Sequence, residues 1–326
     1  MQNELCHYCD LPAFKSIIEK REIRLSDIHF LNDSSEESLF LDALTDLMIK
    51  LRDSLSDSTK AYLDQDTFMN SFFTNIKYNY KNKLYICCFT NEKNDDLSQW
   101  RGYADDGAGF CIGFKKELIN KLSENKTIEK HTLKDDGSLQ KERISTSYVF
   151  SQKDITYSDK KDIIKELEGK IIPLVKEYDV SDKKTKVPPF PDSVFTLELY
   201  KKTYNYKAFY KNKSFESENE YRICFYDKLH EAALDESNDS LIRNMQATYE
   251  FNDKITLSEL KYRNSRGLLI PFREMTFPKD YFFKMISSIT IGPKNRMSIE
   301  DVKYFLIANG LDTSKINIMK SESTYQ

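Results

Sequence analysis

A continuous apolar run, Leu84–Thr90 (LYICCFT), constrains the fold of this 326-residue chain more than any other feature. The run has the length of a strand and no polar face, which is typical of a strand buried on both sides at the centre of a sheet. Residues 220–226 (EYRICFY) form a second strand-like run, and shorter runs cover residues 110–114, 268–272 and 286–291. The sequence therefore predicts a sheet with a well-covered centre.

Helical patterns accompany these strands from the N-terminus onward. Residues 4–9 have the character of a strand, Asp10 is a suitable N-cap, and apolar residues recur at helical spacing from Leu11 to Ile18. Neither an internal repeat nor a boundary between two cores is visible. We expect one elaborated α+β domain over residues 1–326, with a mixed β-sheet flanked by helices and with insertions at about 124–156 and 227–258.

Composition narrows the class of protein. The net charge is −3, so the chain lacks the overall positive potential that a general nucleic-acid-binding protein needs. Its 20 Tyr and 21 Phe supply enough apolar area for a folded core, which argues against a disordered chain. No secretory signal and no apolar stretch of about 20 residues is visible, so we expect a cytoplasmic protein without a membrane partner. Cys6 and Cys9 would point to opposite faces of a strand, and no metal is expected.

His7 and Tyr8 stand at the end of the first strand, immediately before a helix. A histidine in this place can hydrogen-bond a ligand hydroxyl through one ring nitrogen while the backbone holds the other. The alternative is a histidine whose hydrogen bonds are satisfied inside the core. Asn32, Asp33 and Glu36 follow the next strand, where an Asx turn with a helix cap explains the first two and a helix N-terminus suits Glu36. A functional role for this segment is the alternative.

The segment Leu97–Tyr103 (LSQWRGY) contains the only tryptophan and follows a buried strand. If it is helical, Trp100 and Tyr103 lie one turn apart and can line one wall of a pocket that stacks on a flat ring. Ser98 adds a hydroxyl, and Arg101 can meet a phosphate. The alternative is that Trp100 fills the core.

Glu218, Glu220 and Arg222 share one face of a strand whose other positions are core-like. Two interpretations remain open. The three groups form a structural ion pair, or Glu220 is a working carboxylate that Arg222 positions, suited to stabilising an oxocarbenium-like centre or binding a ribose hydroxyl. The sequence contains no phosphate-binding loop and no common hydrolase motif.

These segments carry two resemblances. Four motifs occur in the order of an uncharacterised bacterial domain family: His7-Tyr8-Cys9 for H-Y-T, Leu31-Asn32-Asp33 with Glu36 for L-N-D-x-x-E, Ser98-Gln99-Trp100 for S-x-W, and Glu218–Arg222 for E-x-E-[WY]-R. The opening strand and helix and the late glutamate are also similar, more distantly, to the ADP-ribosyltransferase superfamily. Two positions depart from these patterns, because Cys9 replaces the usual threonine and Lys20-Arg21 replace a turn glycine.

The second resemblance implies a split sheet that binds NAD between its halves. It implies that His7 holds the NAD ribose, that Trp100 or Tyr103 stacks near nicotinamide, and that Glu220 is the catalytic glutamate with Glu218 as its upstream partner. We also expect Tyr8, Ser98, Arg101 and Arg222 to lie near the cofactor.

Two classes of function follow from these expectations. The first is an NAD-dependent ADP-ribosyltransferase-like or NAD-glycohydrolase-like enzyme, acting as a bacterial toxin or anti-phage effector on a protein or nucleic-acid target. The second is a non-enzymatic sensor domain that binds a nucleotide or a partner.

Overall fold

A computed structural model describes residues 4–30, 36–54, 83–91, 95–124, 126–134, 136–178, 204–227, 242–243, 245–251, 254–265 and 267–325. The helices are α1 (Leu11–Lys20), α2 (Glu36–Ser54), α3 (Leu97–Tyr103), α4 (Lys116–Asn120), α5 (Lys160–Tyr178), α6 (Lys279–Met285) and α7 (Ile299–Ala308). The strands of the first half are β1 (Glu4–Cys9), β2 (Glu22–Asp27), β3 (Lys83–Asn91), β4 (Phe110–Lys115), β5 (Thr127–Leu133), β6 (Leu139–Ser145), β7 (Phe150–Asp154) and β8 (Thr156–Tyr157). Those of the second half are β9 (Tyr210–Lys211), β10 (Glu220–Asp227), β11 (Thr248–Glu250), β12 (Thr256–Leu257), β13 (Lys261–Ser265), β14 (Leu268–Thr276), β15 (Ile286–Ile291) and β16 (Asn317–Lys320).

The strands form one large mixed sheet, so the chain has the α+β fold expected from its sequence. The strand order is β16-β15-β4-β1-β3-β2-β14-β12-β11-β5-β6, while β10 joins β3 to β7 and β13 joins β14. Most of the pairings are antiparallel, and β15 pairs with β16 in parallel. Strands β8 and β9 form a separate parallel pair. The apolar run at 84–90 lies within β3, at the centre of the large sheet.

Strand β3 is paired along one edge with β10 and is shared along the other edge by two strands. Strand β2 pairs with Tyr85 and Ile86, and β1 pairs with Thr90 and Asn91. Between these pairings, residues 87–89 have no strand partner on this edge in the described part of the chain. We call this opening between β1 and β2 the fork.

Helix α1 covers the sheet beside the fork. The carboxylate of Asp10 accepts a hydrogen bond of 2.8 Å from the backbone N–H of Ala13, and this N-cap begins the helix. The ring of Phe14 stacks on Phe110 of β4 at 3.9 Å between centroids. At the end of α1, Arg21 takes the left-handed conformation with φ 58°. The turn therefore has the backbone that a glycine would favour, although this chain places an arginine there.

The two faces of the sheet have separate apolar layers. One face carries the large core, which includes Leu5, Phe89 and Ile223. The opposite face carries a cluster around Ile86 and Cys224, and another around Trp100. Of the residues around the expected insertions, 127–154 contribute β5, β6 and β7 to the sheet. Among the described helices, none combines the length and the apolar character needed to cross a bilayer.

Candidate functional site

The pairing register decides which candidate residues share a face of the sheet. Cys6 of β1 lies opposite Thr90 of β3, and Thr90 lies opposite Glu220 of β10. Directly opposed residues point to the same face, so Glu220 lies on the face of Cys6 and Tyr8. His7 alternates to the other face, where its ring lies 5.5 Å from that of Phe89. The structure therefore does not bring His7 and Glu220 onto one face.

Glu220 and Arg222 form a buried ion pair on β10. Arg222 Nε donates to Oε1 of Glu220 at 2.6 Å, and Nη2 donates to Oε2 at 3.0 Å. Nη1 of the same guanidinium donates to the carbonyl of Ala208 at 2.9 Å. Glu220 is 6% exposed and Arg222 is 1% exposed. This arrangement is the structural ion pair that the sequence left open as one of two interpretations.

Lys211 of β9 joins the two glutamates, which we call the acidic pair (Glu218 and Glu220). Its ammonium group donates to Oε2 of Glu218 and, at 3.3 Å, to Oε2 of Glu220. Glu218 is the more accessible member, with 20% of its side chain exposed. The hydroxyl of Tyr103 reaches across from α3 and donates to Oε1 of Glu218 at 3.2 Å.

The backbone at the start of β10 differs from the continuous strand that the alternation predicts. Glu218 closes a short 3-10 helix, and Asn219 takes a left-handed conformation with φ 44° before the strand begins at Glu220. Thr90 Oγ1 donates to the carbonyl of Glu218 at 2.7 Å, and the N–H of Asn91 donates to the carbonyl of Asn219 at 2.9 Å. These bonds tie the acidic pair to the end of β3.

The surroundings of Glu220 keep it ionised. Burial opposes the charge, but the Arg222 guanidinium, the Lys211 ammonium and a hydrogen bond from the Cys88 thiol outweigh it and lower the pKa of Glu220 to about 2. Burial and the neighbouring Glu220 carboxylate raise the pKa of the Cys88 thiol. Glu220 can therefore act at neutral pH as a fixed negative charge and hydrogen-bond acceptor, but not as a proton donor.

His7 occupies the fork. Its Nδ1 lies 3.0 Å from the carbonyl oxygen of Cys88, one of the β3 residues without a strand partner on that edge. A carbonyl only accepts, so Nδ1 carries the proton. Burial lowers the pKa of His7, although this hydrogen bond acts in the opposite direction. The neutral ring consequently presents Nε2 as an acceptor.

Trp100 fills the core and does not line a pocket. It has no exposed surface, its ring meets Tyr8 edge-on at 4.8 Å, and its Nε1 donates to Asp95 at 2.7 Å. The hydroxyl of Tyr8 accepts a hydrogen bond of 2.9 Å from the N–H of Asp96. Tyr8 and Trp100 together hold α3 against β1.

The other residues of α3 lie nearer to the surface. The hydroxyl of Ser98 bonds to the capping carboxylate of Asp96. Arg101 is exposed, with its guanidinium 5.7 Å from the ring centre of Tyr325. Tyr103, 41% exposed, is the residue of this helix that contacts the acidic pair. Asn32 and Asp33 lie outside the described residues, and Glu36 is the first residue of α2.

Sequence reasoning missed three residues around the acidic pair: Lys211, Cys88 and Tyr157. The hydroxyl of Tyr157 accepts the backbone N–H of Glu220 at 2.7 Å. A lysine inside the aromatic stretch 204–211 was the one available signal, because a lysine that is buried needs a carboxylate partner. Within the described residues, no group of three or more His, Cys, Asp or Glu side chains is arranged to hold a metal ion.

A family model matches part of the chain. Residues 99–223 match the model of an uncharacterised domain family described as "Protein of unknown function (DUF2971)". The matched range contains Trp100, the acidic pair and Arg222, whereas His7 lies before it. No curated protein and no solved structure matches the chain.

Proposed function

We propose that this chain is an NAD-consuming enzyme, of the ADP-ribosyltransferase or NAD-glycohydrolase type, whose chemistry is centred on the acidic pair. The observation that carries the proposal is the contrast between its members: Glu220 is immobilised and held ionised, while Glu218 is partly exposed beside Tyr103. The distant superfamily resemblance and the fork in the sheet support the same assignment. The cytoplasmic setting and the toxin or anti-phage role expected from the sequence remain parts of this proposal.

Cleavage of the nicotinamide–ribose bond builds up positive charge on the ribose. The bond electrons leave with nicotinamide, which becomes neutral, and water or a target nucleophile then bonds to the same carbon and loses a proton. A carboxylate that stays ionised stabilises this cation without having to reorganise. Glu220 has that property, since its pKa is about 2. Glu218 is the carboxylate accessible to a ribose hydroxyl.

The neighbouring groups have supporting roles in this proposal. Arg222 and Lys211 hold the two carboxylates in place, and the exposed ring of Tyr103 offers a surface on which a planar base can stack. His7 lies on the other face, and its ring binds the carbonyl of Cys88 within the fork. We therefore assign His7 a positioning role, with no contact to the reacting atoms.

Release of nicotinamide from NAD tests this proposal. Glu218→Gln and Glu220→Gln are compared with the wild type by chromatography. Glu19→Gln is the matched control because, within the described part of the chain, Glu19 pairs only with exposed Lys15. We expect Glu220→Gln to lose about 100-fold or more of the rate and Glu19→Gln to keep it. Thermal unfolding confirms that each variant is folded. Equal rates in wild type and in folded Glu220→Gln would refute the assignment.

The two carboxylates of the acidic pair are balanced by two cations, and this favours a second candidate function. That candidate is the non-enzymatic nucleotide- or partner-binding domain. Glu220 already has two cationic neighbours, Arg222 and Lys211, and all three side chains are buried. The ion pairs of such a cluster are complete within the protein, so it can have a structural role without binding a substrate. Calorimetry with NAD and with ADP-ribose separates the candidates: binding without release of nicotinamide supports the second, and release that depends on Glu220 supports the first.

A further inference from the structure

A cavity of about 620 Å³ lies at the base of the β5–β6 hairpin. Lys126 precedes β5 and Ser145 ends β6, so these two residues lie at the open end of the hairpin, opposite its turn. The rest of the lining consists of Ser123, Thr146, Ser147, Phe150, Ser151 and Gln152. The volume is within the range of pockets that bind small molecules.

Thr146 carries a buried hydroxyl with no hydrogen-bond partner. The residue is 3% exposed, and its Oγ1 is unpaired. Both backbone groups of Thr146 form hydrogen bonds. The N–H donates to the carbonyl of Lys126 at 3.0 Å, and the carbonyl accepts from the N–H of Val149 at 3.0 Å. Buried hydroxyls in folded proteins nearly always have a partner, and an ordered water or a bound group would supply one here.

Gln152 presents a second unpaired atom. Its Nε2 donates to the carbonyl of Asn120 at 2.8 Å and to Oγ of Ser123 at 3.2 Å. These bonds use both amide hydrogens and fix the orientation of the side chain. Oε1 is buried and has no partner in the structure. The cavity therefore offers a fixed acceptor that suits a hydroxyl donor of a ligand.

The charge of the cavity is set by one group. Among the described residues, Lys126 is the only ionisable one that lines the cavity, and it has no ion-pair partner there. No carboxylate from the described part of the chain lines the cavity. Two of the serine hydroxyls already donate within the protein, Ser123 to the carbonyl of Asn120 at 2.8 Å and Ser151 to the hydroxyl of Tyr226 at 3.2 Å. The hydroxyls of Ser145 and Ser147 lie 3.0 Å apart and share one hydrogen bond. An ammonium beside this pair of hydroxyls matches the oxygens of a phosphate group.

We propose that this cavity binds a small phosphate monoester that also carries free hydroxyl groups, such as a sugar phosphate. Lys126 and the hydroxyl pair of Ser145 and Ser147 bind the phosphate, while Oε1 of Gln152 and Oγ1 of Thr146 bind hydroxyls of the ligand. The inference does not depend on the proposed function. Gln152 lies opposite Ile223, which points to the sheet face away from Glu220.

Titration calorimetry on the full chain tests the proposal with ribose 5-phosphate, ribose and inorganic phosphate as probes. We expect ribose 5-phosphate to bind more tightly than either fragment, and Lys126→Met to weaken its binding about tenfold or more. Lys134→Met is the control, because it removes the same charge from the far end of the same hairpin and should bind like the wild type. Absence of ribose 5-phosphate binding by the folded wild type, or equal weakening by both lysine variants, would overturn the proposal.

Thr146→Val distinguishes a binding role from a structural one. The substitution keeps the shape and removes a hydroxyl that bonds to nothing in the free protein, so the melting temperature should stay the same or rise. Binding of ribose 5-phosphate should weaken about threefold to tenfold. A lower melting temperature with unchanged binding would assign Thr146 to the fold and contradict the site.

Discussion

Substitution of Glu220 by glutamine tests the buried ion pair, because it removes the charge and nearly keeps the shape. The Arg222 guanidinium, 1% exposed, then faces a neutral amide. In the wild type the pKa of Glu220 is about 2 instead of the ordinary 4.5. That difference corresponds to about 3 kcal/mol in favour of the charged form. Removal of one partner from a buried pair costs about 3–5 kcal/mol in other proteins, so we expect a loss of about 3 kcal/mol.

Urea unfolding at neutral pH measures this loss, with the fluorescence of the single, fully buried Trp100 as the probe. Glu19→Gln removes a carboxylate from an exposed pair with Lys15 and should cost less than about 0.5 kcal/mol. The double variant Glu220→Met with Arg222→Met removes both charges and should recover most of the loss, because no buried charge of the pair is then left alone.

The pH dependence supplies an independent check on the same pair. A carboxylate whose pKa is lowered on folding stabilises the protein above its unfolded pKa, and this stabilisation is lost as the pH falls towards the folded value. The advantage of the wild type over Glu220→Gln should therefore be constant above about pH 4.5 and shrink towards pH 2. A cost below about 0.5 kcal/mol at neutral pH, or a difference that does not shrink in acid, would refute the reasoning.

Two further predictions concern His7 in the fork and Gly109 in the loop between α3 and β4. Burial lowers the pKa of His7, so the unfolded state binds the proton more readily, and the wild type should lose stability as the pH falls below about 6.5. His7→Gln should flatten that slope in urea unfolding, and an unchanged slope would contradict the burial of the ring. Gly109→Ala should cost about 3 kcal/mol or more, because a Cβ there would lie 2.2 Å from the carbonyl oxygen of Cys9. Gly102→Ala in α3 is the control, because a Cβ there would have no described residue beyond its own helix turn within 4 Å. It should be neutral or stabilising in thermal unfolding, and equal effects at the two glycines would be inconsistent with the close approach at Gly109.

Local patterns predicted the elements that build the sheet and its first helix. The apolar run at 84–90 became β3, the strand expected at 4–9 is β1, and Asp10 caps α1 as its side chain and position indicate. These features depend on residues within a few positions of each other, where periodicity and capping chemistry are decisive. The strands of the region around 124–156 had a weak pattern, because β6 is exposed and many of its side chains are polar or charged.

The relation between the candidate residues could not be predicted in the same way. Whether His7 shares a face with Glu220 depends on the register between β1, β3 and β10, and a slip of one residue would exchange the faces. The contact of Lys211 with both glutamates joins a short strand to the start of another, and no local pattern encodes it. Trp100 illustrates the same limit: its burial follows from partners at Tyr8 and Asp95, which its own segment does not reveal.

The fork makes the large sheet a branched ladder instead of a linear one. One branch leaves β3 through β1, β4, β15 and β16, and the other leaves it through β2, β14 and the strands beyond. Each branch can follow its own twist, since only β3 carries backbone pairing from one to the other along this path. Strands can therefore be added at the outer end of one branch, as β5 and β6 are, without changing the register of the other. Both branches therefore pair with β3, and the side chain of His7 lies at the point where they separate.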